Sequence, residues 1–496
     1  MEMPCLKTLR TKFISPNNKH IKSTTSGLKW SAIERLVTQA IQLIVMLYLA
    51  RLLGPQAFGL VGMLAVFIAL SQVFVDSGFS SALIRNTERT ETDYSTAFYF
   101  NIGIGVICYG ALFILAPYIA LFFEQPQLES LLRVLGVVVI VNSFSIIQRT
   151  KLTINMDFKT QAKASLLSVF ISCGFAIWLA ELNYGVWALV GQTVMQAVCN
   201  ALLLNFFCKW LPTTGFSKKS FSYLFGFGSK LLVAGLLDTF FKNIYQVVIG
   251  KQFSSGQVGL FTQANQLASV PAMTLTTVIQ RVTYPMLSNI QKDIDKFEQA
   301  YLLTLRLAAA IVFPLMAGLG IIATPLITLV LGEEWLPAAE LLTILAFAFM
   351  LYPVHAINLN LLNVKGRSDI FLKLEIIKKS LIVCMLLITI PLGIKAMCIG
   401  LVVQGYIAFF INSFYTGKFS RLKIARQVKV LAPIWLGAMS CSAVTYYLVT
   451  FFISYTDTGL YTNLVANTLV MPFLYIVYIR LIEHDLYKKI ITVVLK

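Results

Sequence analysis

The sequence predicts an all-α polytopic membrane protein: about 14 transmembrane helices, as two six-helix lobes related by a parallel pseudo-two-fold, plus two extra C-terminal helices. Three observations predict it: a shortage of polar residues, a one-sided placement of the basic ones, and a corner written twice. Of 496 residues, 57% are hydrophobic and only 12% charged, against about 25% charged in soluble proteins. That is too little polar surface to cover a globule in water, so the bilayer is the main solvent. In hydrocarbon the backbone must satisfy its own hydrogen bonds, by helices or a closed barrel. The apolar runs are long and continuous rather than alternating, which selects helices.

The elements follow in chain order. Residues 1–27 are basic and polar and form a predicted cytoplasmic arm. They carry no apolar stretch with a small-residue cleavage site, so they do not read as a signal peptide. Helices are predicted over 28–52 and 57–84, joined by the corner Ala50–Val61, "ARLLGPQAFGLV". Arg85 and Arg89 follow. Helices 93–122 and 128–148 lead to Arg149, Lys151, Lys159 and Lys163; helices 160–181 and 184–208 lead to Lys209, Lys218 and Lys219. Helices 221–249 and 256–286 are joined by a second corner, Gly250–Phe261, "GKQFSSGQVGLF", and followed by Lys292 and Lys296. Helices 298–330 and 337–363 precede Lys365, Arg367 and Lys373. Helices 370–391 and 394–416 precede Lys418, Arg421, Lys423, Arg426 and Lys429. The last pair is 430–453 and 460–481. Several of these exceed the ~20 residues a span needs, so tilt or protruding ends are expected.

The basic residues just named all fall on one side of the membrane if the N-terminus is cytoplasmic. With both chain ends included, 29 lie on that side and three (Arg51, Lys251, Lys395) on the other. This bias puts both termini in the cytoplasm. It also accounts for the net charge of +18 without nucleic acid as a partner. The opposite gaps are too short for a folded domain, which counts against a membrane polysaccharide polymerase. The eight cysteines show no metal-type spacing and the three histidines are scattered, so neither a disulfide framework nor a zinc cluster is expected. No nucleotide-binding loop is present, so direct use of ATP is not expected.

The two corners match at an offset of 200: Arg51 with Lys251, Gly59 with Gly259, Leu60 with Leu260. "QPQLESLL" (Gln125–Leu132) resembles "LPAAELLT" (Leu336–Thr343) at an offset of 211, and Lys163 pairs with Lys373 at 210. Six helices separate the copies, and an even number returns the chain to its starting side. The copies therefore share one orientation, the parallel-repeat type of transporter. The predicted divisions are 28–210, 220–418, the additional pair 428–482 and a cytoplasmic tail, 483–496.

Ionisable residues inside spans mark the candidate site, because they are costly in lipid and face a wet cavity or a partner. Lys230, Ala234, Asp238 and Lys242 are spaced four residues apart and run along one helix face. At an offset of 200 that face maps onto Trp30, Glu34, Thr38 and Gln42. Arg35, Lys230, Lys242, Arg281, Arg306 and Lys378 are the candidate substrate-binding cations, suited to a phosphate-bearing substrate. Glu34, Asp76 and Asp238 are the candidate ion-coupling acids. Alternatives stay open for each: Lys230, Arg281 and Lys378 as snorkelling residues, Glu34–Arg35 and Asp238–Lys242 as structural pairs, Asp76 as interfacial.

The hairpin "LARLLGPQAFGLVGML" (Leu49–Leu64) followed by "VFVDSGFSSALIR" (Val73–Arg85) resembles the Wzx-type polysaccharide flippases of the multidrug/oligosaccharidyl-lipid/polysaccharide superfamily, closest to the colanic-acid and teichuronic-acid exporter branch. The resemblance covers about residues 25–485 and is carried mainly by the N-terminal hairpin. It implies export of an undecaprenyl-diphosphate-linked oligosaccharide across the bacterial inner membrane by alternating access. The implied driving force is a proton or sodium gradient, with no cofactor. The implied partners are the lipid-linked oligosaccharide, membrane lipids, and a polysaccharide polymerase with its chain-length machinery. An ion-coupled multidrug exporter of the same fold is the main alternative; the excess of basic over acidic residues within the spans argues against it.

Overall fold

The computed structural model describes residues 18–291, 293–456 and 459–488. The side chains of Trp30 and Arg281, two residues singled out above, lie outside the described residues. Among the described residues every element is helical: α1 (Asn18–Asp76), α2 (Phe79–Arg85), α3 (Glu91–Phe122), α4 (Gln127–Ser143), α5 (Ile146–Ile154), α6 (Phe158–Glu181), α7 (Trp187–Cys208), α8 (Lys218–Gln252) and α9 (Ser255–Asn289) make up the first half. The second holds α10 (Ile294–Ile321), α11 (Ala323–Val330), α12 (Leu336–Met350), α13 (Tyr352–Val364), α14 (Ser368–Thr389), α15 (Ile394–Phe419), α16 (Ile424–Thr456) and α17 (Leu460–Ile482). Among the described residues, eleven helical stretches are long and apolar enough to cross a membrane.

The predicted helices overlap these elements, but several are interrupted. α1 covers the first two predicted spans and bends at Gly54, whose φ of 68° only glycine adopts freely. Pro55 then opens the second limb, where its missing N–H is no loss. The stretch predicted over 57–84 breaks at Ser77 and Gly78, both left-handed. The stretch over 128–148 breaks at Phe144–Ser145. There the Ser143 hydroxyl donates to the Ile140 carbonyl (2.6 Å) and the Ser145 hydroxyl to that of Asn142 (3.0 Å), a local alternative to the helical ladder. The stretch over 337–363 breaks at Leu351, two residues before Pro353, which cannot donate back to the preceding turn.

The chain divides into two compact units. Unit 1 holds the first limb of α1 to Leu53, then Leu60–Val247. Its helices pack as the hairpins α3–α4 and α6–α7, with α4 also against α7. The short α5 touches α2, α3, α6 and α7. A Cβ built on Gly228 of α8 would lie 2.4 Å from the Ser77 carbonyl oxygen, so α8 crosses the α1–α2 break at backbone contact. Unit 2 holds Gly54–Gly59 and Val248–Lys496. Its centre is one apolar cluster in which Tyr301, Leu305, Phe313 and Met316 of α10 meet Ile434 of α16 and Met471 of α17. The additional helices are thus bound by burial against α10.

Candidate functional site

Unit 1 carries a partly open cavity of about 640 Å³. The second limb of α1 supplies Gln72 and Asp76, and α2 supplies Ser80. Asn142 of α4 and Arg149, Thr150 and Thr153 of α5 form one wall; Ser168 of α6 and Gln196 and Asn200 of α7 form another. Thirteen of the seventeen lining residues are polar or charged. A cavity so lined suits water or a polar ligand, because empty cavities are apolar.

The break between α4 and α5 builds this wall. It ends the apolar α4 early and starts a nine-residue helix whose side chains go to different neighbours. The Gln148 side-chain amide donates to Asn205 of α7 at 2.6 Å. The Thr150 hydroxyl donates to Ser80 at 3.1 Å. Gln161 of α6 donates to the Thr153 hydroxyl at 2.8 Å and to the Arg149 carbonyl at 3.1 Å. Arg149 and Thr153, one turn apart, share the face that lines the cavity.

Among the described residues that line the cavity, Arg149 is the one cation and Asp76 the one acid. Protein atoms crowd the Arg149 guanidinium, yet it remains solvent-exposed within the chamber. Among the described residues none hydrogen-bonds or ion-pairs with it; Glu34 is the acid that acts on it through space. Asp76 accepts a hydrogen bond from Ser80, so a polar chain runs from Asp76 through Ser80 to Thr150 on the helix that carries Arg149. Gln42 donates to Gln196 of the cavity wall at 3.4 Å. Part of the polar stripe of the first helix, Glu34 and Gln42, thus addresses partners inside unit 1.

The other predicted residues fall elsewhere. Arg35 and Lys230 are exposed. Lys242 pairs with Asp238 at 2.7 Å on the exposed surface of α8. Arg306 is bound by Glu483, with Asp485 at 3.8 Å. Lys378 pairs with Glu375 one turn earlier on α14. Of the nine candidates, the structure brings Asp76 to the cavity wall, and Glu34 acts on its cation only through space. The cation itself was not among them. Arg149 follows an apolar run directly and so counts as a loop residue in a charge census. The serine-rich "VNSFS" (Val141–Ser145) before it is the signal that a break, and a further helix, follow.

The fold and this cavity define a class: a multi-pass helical membrane protein with the architecture of MurJ and of the MATE transporters. A lipid II flippase MurJ in an inward closed conformation superposes with a TM-score of 0.73 at 14% identity, covering 92% of this chain and 99% of that one. An inward-facing multidrug resistance MATE family transporter of the MOP superfamily gives 0.61 at 17% identity, over 80% and 99%. Residues 48–340 match the profile of the polysaccharide biosynthesis protein family, and the chain belongs to that family. Among its relatives, the teichuronic acid biosynthesis protein TuaB of Bacillus subtilis (strain 168) is 27% identical over 351 residues, 70% of this chain and 73% of that protein. The lipopolysaccharide biosynthesis protein WzxC of Escherichia coli (strain K12) is 27% identical over 371 residues, 73% and 74%. The family resemblance read from Leu49–Arg85 is borne out.

Proposed function

We propose that the protein is a flippase that carries an undecaprenyl-diphosphate-linked oligosaccharide from the cytoplasmic to the outer leaflet of the bacterial inner membrane, by alternating access, with both termini cytoplasmic. The single observation that carries this reading is Arg149: a permanently charged guanidinium with no hydrogen-bond or ion-pair partner among the described residues, beside a cavity of hydroxyls and amides. Arg pairs bidentately with phosphate and carboxylate, while neutral polar groups suit sugar hydroxyls. The same arrangement disfavours a cationic drug as cargo. A polysaccharide polymerase with chain-length machinery would take the exported unit. The names of the two relatives, and of the MurJ flippase, lie in the same chemistry.

Asp76 and Glu34 are the proposed coupling acids. A proton or sodium ion at either changes the field at Arg149, and so the affinity for an anion there. The divisions 28–210 and 220–418 are proposed as two like-oriented repeats. Their helix interruptions support this: Phe144 and Leu351 differ by 207 positions, Asp157 and Arg367 by 210, Gly185 and Gly393 by 208.

The test is complementation of surface-polysaccharide export by Arg149→Ala and Arg149→Lys. A charge-assisted hydrogen bond contributes about 1.5–3 kcal/mol, so the alanine variant should lose roughly 10- to 100-fold in apparent substrate affinity and the lysine variant less. Full activity of Arg149→Ala at parental expression would refute the reading.

A further inference from the structure

We infer that the loop after α7, residues 209–217, positions Arg149, acting through Glu91 and Lys151. The inference rests on the reading of Arg149 as the cavity's anion anchor.

The loop is strapped to the start of α3 by three side chains of that helix. The Trp210 indole N–H donates to both Glu91 carboxylate oxygens, at 3.2 and 3.0 Å. The Thr214 amide donates to Ser95 Oγ at 3.5 Å and the Ser217 amide to Thr96 Oγ1 at 3.0 Å. Trp210 is buried against Tyr94 and Phe98. The carboxylate that holds the loop also holds α5: Lys151 Nζ lies 2.8 Å from Glu91 Oε1. The same ammonium sits over the rings of Tyr94 and Trp210, at 4.5 and 4.7 Å. Glu91 is thus shared between the loop and the helix that carries the cavity cation.

Lys151 and Arg149 are two residues apart, which places them about 200° apart around the helix. One side of α5 is clamped to Glu91 and Trp210 while the other presents Arg149 and Thr153 to the chamber. A nine-residue helix has little stability alone, so its rotation is set by what its side chains grip. Gln148, Thr150 and Thr153 are gripped by single neutral hydrogen bonds. Lys151 is gripped by an ion pair and two aromatic faces, a stronger hold. The loop continues directly into α8, so a displacement of the start of α8 is passed through Trp210 and Glu91 to Lys151 and turns Arg149. The linker thereby couples helix movement to the presentation of the charge. Lys151, Glu91 and Trp210 are positioning residues; none of them lines the cavity.

The experiment reads the field inside the cavity and not transport. Thr153→Cys is introduced, and its reaction with an anionic and a cationic methanethiosulfonate reagent is measured in inverted membrane vesicles, as the increment over the parent protein. A nearby guanidinium should favour the anionic reagent, and adding Arg149→Ala should lower the anionic-to-cationic rate ratio about tenfold. Adding Glu91→Ala or Lys151→Ala should lower it most of the way to that value, and Lys151→Arg should restore it. Lys296→Ala, which removes a distant pair with Asp293, should not move it. A parental ratio in Glu91→Ala and Lys151→Ala, with Arg149→Ala low, would overturn the positioning role and leave the flippase reading standing. A parental ratio in Arg149→Ala itself would remove Arg149 from the cavity and sink both.

Discussion

Gly59→Ala should be among the most damaging single-methyl additions in the chain. A Cβ at Gly59 would lie 1.7 Å from the Ser255 carbonyl oxygen, and one at Gly259 would lie 1.9 Å from that of Pro55. Each would also stand 3.1 Å from the other glycine's amide nitrogen. The contact is reciprocal, and both of its pairs, Gly59 with Gly259 and Pro55 with Ser255, are 200 positions apart. The repeated corner is therefore written twice because the two copies meet backbone to backbone inside unit 2. Only glycine permits that approach, as at small-residue helix crossings in membranes.

The clash cannot be relieved by a rotamer, because the opposing atom is main chain. To reach even a 3.0 Å contact, the carbonyl must retreat by roughly 1.3 Å. Overpacking of this kind costs about 1–3 kcal/mol, and a backbone obstacle puts it near the top of that range. For a unit of ~250 residues that corresponds to a fall in Tm of about 5–10 °C. The assay is the thermal loss of monodisperse detergent-solubilised protein on size exclusion. Gly256→Ala is the control: it lies on the same turn of α9, but its Cβ would meet nothing nearer than 3.8 Å. Equal melting of Gly59→Ala and the parent, or equal damage from Gly256→Ala, would show that the corners are not in backbone contact.

Two further outcomes are expected. Asp76→Asn should leave expression and melting unchanged, since Asn still accepts from Ser80, but should abolish the dependence of export on an imposed proton or sodium gradient; gradient-dependent export by the variant would remove Asp76 from coupling. Glu298→Ala should lower the melting temperature by more than Glu298→Gln. The buried carboxylate accepts from the Arg421 amide at 2.9 Å and from Arg426 at 3.0 Å, and an unpaired donor left behind costs about 1–3 kcal/mol. Gln keeps one acceptor, so identical melting of the two variants would contradict the assignment.

Much of the fold was legible because the bilayer imposes it. Apolar runs of span length leave the backbone little alternative to helix, so helix existence follows from composition. The interruptions were less legible because they arise from single residues embedded in those runs. Gly54–Pro55 announces a corner, but the hydroxyls of Ser143 and Ser145 break α4 by bonding carbonyls three residues back, and serine is also tolerated within spans. Of the site, Asp76 and Glu34 were legible as charges in lipid. Arg306 was equally conspicuous, but its partner Glu483 stands 177 residues further on. Sequence shows where a charge is expensive, not which distant residue neutralises it.

Arg149 shows where a repeat argument stops being informative about function. At the 207-residue offset of the neighbouring interruption, Phe144 with Leu351, Gln148 corresponds to His355 and Arg149 to Ala356. In unit 2, the His355 ring lies 3.2 Å from the Asn412 side-chain amide, and in unit 1 Gln148 meets Asn205; both residues of the one contact lie 207 positions before those of the other. Beside Gln148, unit 1 has an arginine on the wall of a polar cavity, where unit 2 has an alanine. In the proposed repeats the helix breaks are kept because they set the path of the chain. The side chains at those breaks are free to diverge, toward a small neutral residue in one and a charge in the other. An unpaired guanidinium inside a membrane bundle lowers stability unless a ligand's anion completes it. That cost, present at Arg149 and absent at Ala356, is the physical argument behind the proposal that an anion is bound in unit 1.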